Sequence, residues 1–140
     1  MTDLDPTASQ RRFGPRRIIL LVLAGLAIFG VALFFILKSA LGPVIDAGDA
    51  FMDALRDRND TQAYASAAPE LQQRLGSVGG LTVTIDTYRP SQWSWSTRSV
   101  RNGIGDLSGN VTYQGGNRGT AELRLSKIDG TWRITAFRFN

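Results

Sequence analysis

The chain contains no cysteine and no histidine among its 140 residues. Without cysteine there can be no disulfide staple, no zinc–thiolate site and no thiol chemistry. Without histidine, the commonest metal ligand and the usual general base near neutral pH are also missing. Neither a metal ion nor a cofactor is expected, and acid–base catalysis near neutral pH would need another group, such as a carboxylate raised by burial. A strongly basic folded body is lacking too. The formal charge is +4, but residues 1–40 hold five cations and two anions, whereas residues 41–140 hold eleven and ten. A body so close to neutral gives no reason to expect a nucleic-acid partner.

What the chain does have is a long apolar run. Ile18 to Leu37 are uncharged and overwhelmingly apolar, and Arg11, Arg12, Arg16 and Arg17 stand just before them. At about 1.5 Å per residue, a helix of this length spans about 30 Å, the hydrocarbon thickness of a bilayer. The expectation is a transmembrane helix over residues 18–38, with the bilayer contacted through residues 18–37. A cleaved signal peptide is the alternative, but secretory apolar cores are shorter. Lys38 also occupies the small-residue site for cleavage after Ala40, and Pro43 disfavours cleavage after Gly42. No two glycines or other small residues form a spaced packing motif, so a lipid-facing tether is expected. The arginines predict a cytoplasmic tail over residues 1–17 and a cell-membrane, single-pass chain whose C-terminal part is extracytoplasmic.

Residues 43–140 suffice for one small domain. Pro43 suits a first helical turn, and Val44, Ala47, Phe51 and Leu55 recur on one helical stripe. Asp46, Asp49, Asp53 and Asp57 follow another face. Side by side they cannot wrap a cation, so they read as a solvated surface. Asp60 is placed to cap a short helix running to Ala67, and Pro69 to begin another that ends at Gly76.

From Thr82 onward the character is strand, with four or five segments: 82–88, 92–100, 107–113, 120–127 and 131–139. Asp129-Gly130 predicts a two-residue type I′ hairpin pairing Ile128 with Thr131, Lys127 with Trp132, Leu125 with Ile134 and Leu123 with Ala136. Three-residue loops at 115–117 and 102–104 would set Val111 opposite Ala121, Leu107 opposite Leu125, Trp95 opposite Val111 and Trp93 opposite Tyr113. One apolar face then runs through the whole sheet, and the Val44–Leu55 stripe is the available cover. The predicted class is α+β: one N-terminal transmembrane helix, then a small roll of helices packed on a four- to five-stranded antiparallel sheet.

Phe51-Met52-Asp53-Ala54-Leu55, with Asn59-Asp60 and Tyr64, resembles the opening of many members of the nuclear transport factor 2-like superfamily, a cystatin-like α+β roll. The ending Leu123 to Ile134, with its Asp-Gly turn and Trp-x-Ile strand, looks like that superfamily's last hairpin. The resemblance covers about residues 43–139 and is nearest to the superfamily's membrane-anchored domains of unknown function. It implies an extracytoplasmic roll. The enzymatic members' histidine or aspartate base inside the cone has no counterpart on the predicted inward sheet face. A tail, one anchor and a small domain ending at Trp132 also look like cytochrome oxidase assembly factors, though that match lacks the long helix.

Tyr64, Trp93, Trp95, Tyr113 and Trp132 are the candidate lining of a ligand pocket, with core packing as the alternative role. On the opposite sheet face Arg133, Phe137 and Phe139 are candidates for a partner contact with another membrane protein or a second copy. No catalytic residue is expected, and the chain reads as a non-enzyme. The functional expectation is a membrane-anchored, non-catalytic binding or assembly module. The alternatives are an extracytoplasmic small-molecule or lipid-binding roll and an assembly factor like those of cytochrome oxidase.

Overall fold

A computed structural model describes residues 15–140, leaving aside the side chains of residues 36–38. Of the tail expected over residues 1–17, residues 1–14 with Arg11 and Arg12 lie outside the described residues. Arg16 and Arg17 lie in the first turn of helix α1 (Pro15–Arg56), which also contains Pro43. Pro43 therefore does not begin a new helix. The chain divides into two compact units, Met1–Ile36 and Leu37–Asn140. The described residues of the first, 15–36, are helical, and the apolar side chains from Ile18 to Phe35 are exposed. That helix is long and apolar enough to cross a membrane.

In the second unit α1 is followed by α2 (Asp60–Ala65), α3 (Pro69–Leu75), α4 (Val78–Ile85) and a 3-10 turn over Asp86–Tyr88. A four-stranded antiparallel meander then closes the domain: β1 (Pro90–Arg101), β2 (Ile104–Tyr113), β3 (Arg118–Ile128) and β4 (Thr131–Phe139). The strand expected at 82–88 is thus a correction: the segment is helical. Ser77 caps α4 by accepting from the Gly80 N–H, and the Thr84 hydroxyl donates to the carbonyl of Gly80 one turn back. Leu81 and Ile85, four residues apart, are buried, while Val83 between them is 81% exposed. Tertiary burial with helical spacing overrides the β preference of threonine and valine. Asp60 is not the cap of α2 either. Asn59 holds that place, its side chain accepting from the Gln62 N–H.

The Asp129-Gly130 turn has both residues at positive φ (51° and 79°), as type I′ requires, and the pairs Ile128–Thr131, Lys127–Trp132 and Leu125–Ile134 are those expected. Asn102 and Gly103 (φ 50° and 72°) make a second two-residue turn, where a three-residue loop was expected. Between β2 and β3 the loop is 114–116, and Leu107 faces Leu123 instead of Leu125, while Val111 faces Gly119. A slide of two residues keeps the same face inward, so the core survives the shift.

Three bulges complete the register. Ser91, Ser96 and Thr135 are each the extra residue in their strand. Each hydroxyl donates to a carbonyl of the facing strand: Ser91 to Thr112 (2.9 Å), Ser96 to Ser108 (3.3 Å) and Thr135 to Arg124 (3.1 Å). Each extra residue bends its strand and reverses the inside–outside alternation beyond it. Trp93 therefore faces Val111 in place of Tyr113, Trp95 faces Gly109 in place of Val111, and Leu123 faces Phe137 in place of Ala136.

The helices cover the inner sheet face. Val44, Phe51, Met52 and Leu55 of α1 are fully buried against Leu107, Val111, Leu123, Leu125 and Ile134. Gly48 brings α1 close to the sheet, since a side chain there would collide with Leu107. At Gly105 a Cβ would lie 2.7 Å from Val44 and 3.5 Å from the Trp132 ring. Both glycines are small because another side chain fills their space. The β4 edge is closed by the segment before α3: Ile134 N–H donates to Ser66 and its carbonyl accepts from Ala68.

Candidate functional site

Two carboxylates from the helical half are held by distant side chains, one half-buried and one buried. The first is Asp49, one turn before Asp53 on α1. Its Oδ1 accepts hydrogen bonds from both the Trp93 indole (2.9 Å) and the Trp95 indole (2.8 Å). The guanidinium of Arg56 lies 5.5 Å from the centre of the Trp93 ring and pairs with Asp53 (2.9 Å) and Asp57 (3.0 Å). Asp49 thus leaves the solvated stripe formed by its neighbours and clamps α1 to β1. Replacing it by leucine strands two indole N–H groups and is expected to cost about 1–3 kcal/mol. The asparagine variant, which keeps an acceptor, is expected to lose less. Thermal unfolding followed by tryptophan emission compares the two.

The second is Asp60, at the start of α2. Arg89, between the 3-10 turn and β1, donates to both of its oxygens (2.9 and 2.8 Å) and also to the Leu55 carbonyl at 3.0 Å. The Thr82 hydroxyl donates to the same carboxylate at 2.6 Å. Hydrogen bonding from Arg89 holds the Asp60 carboxyl below the usual range; burial opposes this, and Thr82 assists. Reciprocally, Asp60 raises the Arg89 guanidinium. Among the described residues, Arg89 Nε is a buried side-chain nitrogen without a hydrogen-bond partner; Asp86 approaches it to 3.8 Å as a long ion pair. The reading of Asp60 as a cap missed this pair. The partners lie 29 residues apart, and no local pattern links them.

The five aromatic candidates do not converge. Trp93 and Trp95 meet at Asp49. The Tyr113 hydroxyl donates to the Asn140 carbonyl (2.8 Å), burial pushes its pKa up, and its ring meets Tyr88 edge-on at 5.5 Å. The Tyr64 hydroxyl donates to the Gln72 carbonyl in α3, and Trp132 packs beside Gly105. They sit in four separate places.

Phe137 and Phe139 were expected on the outer face with Arg133, and here the structure corrects their placement. The Thr135 bulge turns both inward, where they are partly buried against the core. The rings of Phe51 and Phe137 lie 5.7 Å apart, those of Phe137 and Phe139 5.6 Å. Arg133 does stay outside, donating to the Ala65 carbonyl at 3.0 Å. No cluster of three or more potential metal-binding side chains occurs among the described residues.

Helices laid on a bent antiparallel meander, around a core of buried side chains, form an α+β roll with the nuclear transport factor 2-like, cystatin-like fold. The chain belongs to the DUF4864 family, a domain of unknown function, whose model matches residues 38–139. Solved structures share the fold. An NTF-2 like protein of unknown function from Shewanella oneidensis MR-1 is 11% identical with a TM-score of 0.52, covering 70% of this chain and 96% of that one. A cystatin-like protein of unknown function from Nostoc punctiforme PCC 73102 is 12% identical at 0.51, covering 69% and 86%. A de novo designed protein with a curved β-sheet is 14% identical at 0.52, covering 69% and 98%. No curated protein matches the chain.

Proposed function

We propose that the chain is a membrane-anchored, non-catalytic binding or assembly module, held by residues 18–37 with its folded domain on the extracytoplasmic side. The observation that carries this reading is the seating of α1 on the sheet. Gly48 and Gly105 let the two layers approach until Leu107, Val44 and Trp132 fill the space between them. A ligand-binding roll needs an open interior with a few convergent polar groups. The two carboxylates held by distant side chains favour a structural role as well. Asp49 is bound by two indoles and Asp60 by a guanidinium and a hydroxyl. A general base must instead aim a lone pair at a substrate proton. Support for the anchor comes from the length and apolarity of the N-terminal helix, and for its orientation from the arginines that precede it.

Protease added to intact spheroplasts is expected to digest the domain and leave a membrane-bound stub. Protection of the domain, or its recovery in the soluble fraction, overturns the anchored topology. In mild-detergent extracts the chain is expected to migrate on native gels as part of a larger assembly. Migration as a lone monomer overturns the module reading.

A further inference from the structure

The inner sheet face is covered by helices, and the outer face is open. Register and alternation place Arg101, Ile104, Ser126 and Arg133 in one row across all four strands at one end of that face. Toward its middle lie two cross-strand ion pairs, Arg124 with Asp106 (2.8 Å) and Arg138 with Glu122 (3.6 Å). Between and beside them the side chains are short: Thr97, Ser108 and Ala136 line a hollow of about 460 Å³. Arg118 stands toward the other end, on β3 opposite Thr112. The face therefore carries five arginines and two acids, a net +3, on a domain whose total over residues 43–140 is +1. Every cation on it is arginine, the side chain whose planar fork fits carboxylates.

We infer that this outer sheet face docks an acidic protein surface, an inference that rests on the module reading above and names its partner by chemistry. A second copy laid face to face would set +3 against +3, which like-charge repulsion disfavours. A continuous plane of anionic lipid headgroups would meet Asp106 and Glu122 at the centre of the face. A protein surface can place carboxylates on Arg101, Arg118 and Arg133 while offering donors to those two acids. Ile104, 44% exposed between Arg101 and Arg133, supplies an apolar contact within the charged row. The short side chains of the hollow leave room for the partner's projecting groups.

The test uses the full chain in cells, with a photo-crosslinking amino acid at Ser108 in the hollow. The adduct is expected to be a protein whose cross-linked peptide carries net negative charge. It is expected to fall by about tenfold or more in R101E/R118E, because rim charges set encounter and register. Neither arginine has a salt-bridge partner among the described residues. The neutral pair R101Q/R118Q, expected to show a smaller loss in the same direction, guards against a fold defect in the charge reversal. Adducts only to lipid, to a second copy or to a peptide without net negative charge overturn the proposal. So does an adduct that both variants leave intact, or no adduct from Ser108. The same photo-crosslinker at Val83 on α4 separates the two levels of inference. Adducts from Val83 and none from Ser108 remove the sheet-face proposal alone, whereas a lone monomer on native gels removes the module reading with it.

Discussion

Arg89→Met is expected to destabilise the domain by about 3–5 kcal/mol, the cost of stranding a buried charge whose partner has been removed. Arg89 is 3% exposed and makes three hydrogen bonds, two to Asp60 and one to the last carbonyls of α1 at Leu55. Its loss leaves Asp60 with the Thr82 hydroxyl alone and Leu55 without that donor. The joint replacement Asp60→Leu/Arg89→Met removes both charges and is expected to lose less than the single variant. All three tryptophans lie in the domain, so thermal unfolding of the detergent-solubilised chain by tryptophan emission reports on it alone. A single variant that melts as the wild type does would mean the pair is not buried as described.

The same pair sets an acid limit. Asp60 is held below its ordinary value of 3.8, chiefly by hydrogen bonding from Arg89, so the folded state binds its proton less readily than the unfolded chain. The stabilisation is therefore fully present above pH 3.8 and is lost as pH falls through the lower folded value. Asp60→Asn is expected to flatten the acid limb of a stability-against-pH curve below pH 3.8 and to leave its slope near neutrality unchanged.

Phe51→Ala is expected to cost about 3–5 kcal/mol, as a fully buried aromatic lost from the core. Phe51 is 1% exposed and its ring lies against Phe137. A double-mutant cycle between the two tests the β4 bulge directly. If Thr135 is the extra residue, Phe137 is inward and the pair couples by about 0.5–1.5 kcal/mol. Zero coupling would put Phe137 on the outer face, as an unbroken β4 alternation demands.

The comparison between sequence and structure turns on these bulges. The hairpin at Asp129-Gly130 was legible because positive φ at two adjacent residues favours few dipeptides. Asn102-Gly103 carries the same signature, but an unbroken β1 needs a three-residue loop there to keep the tryptophans on the inner face. The chain keeps both tryptophans on the inner face, two residues away from that register, by a two-residue turn plus an extra residue at Ser96. An extra serine or threonine in a strand has no distinctive composition. Its hydroxyl finds a carbonyl of the facing strand only once the strands have met.

By itself, the sequence determined what depends on neighbours along the chain: the apolar run at 18–37, the buried stripe of α1, the type I′ turn at 129–130 and an antiparallel meander with one apolar face. Local spacing and φ preference are enough for each of these. Only the tertiary structure decided that 82–88 coils as helix, that Phe137 and Phe139 turn inward, that Asp49 accepts from two indoles, and that Asp60 is buried against a guanidinium. Those outcomes depend on distant partners, 22 residues away for Thr82 and Asp60 and 86 for Phe51 and Phe137. A carboxylate reads the same in sequence whether water or a buried arginine will satisfy it, because the difference lies in which distant donor the fold brings within about 3 Å.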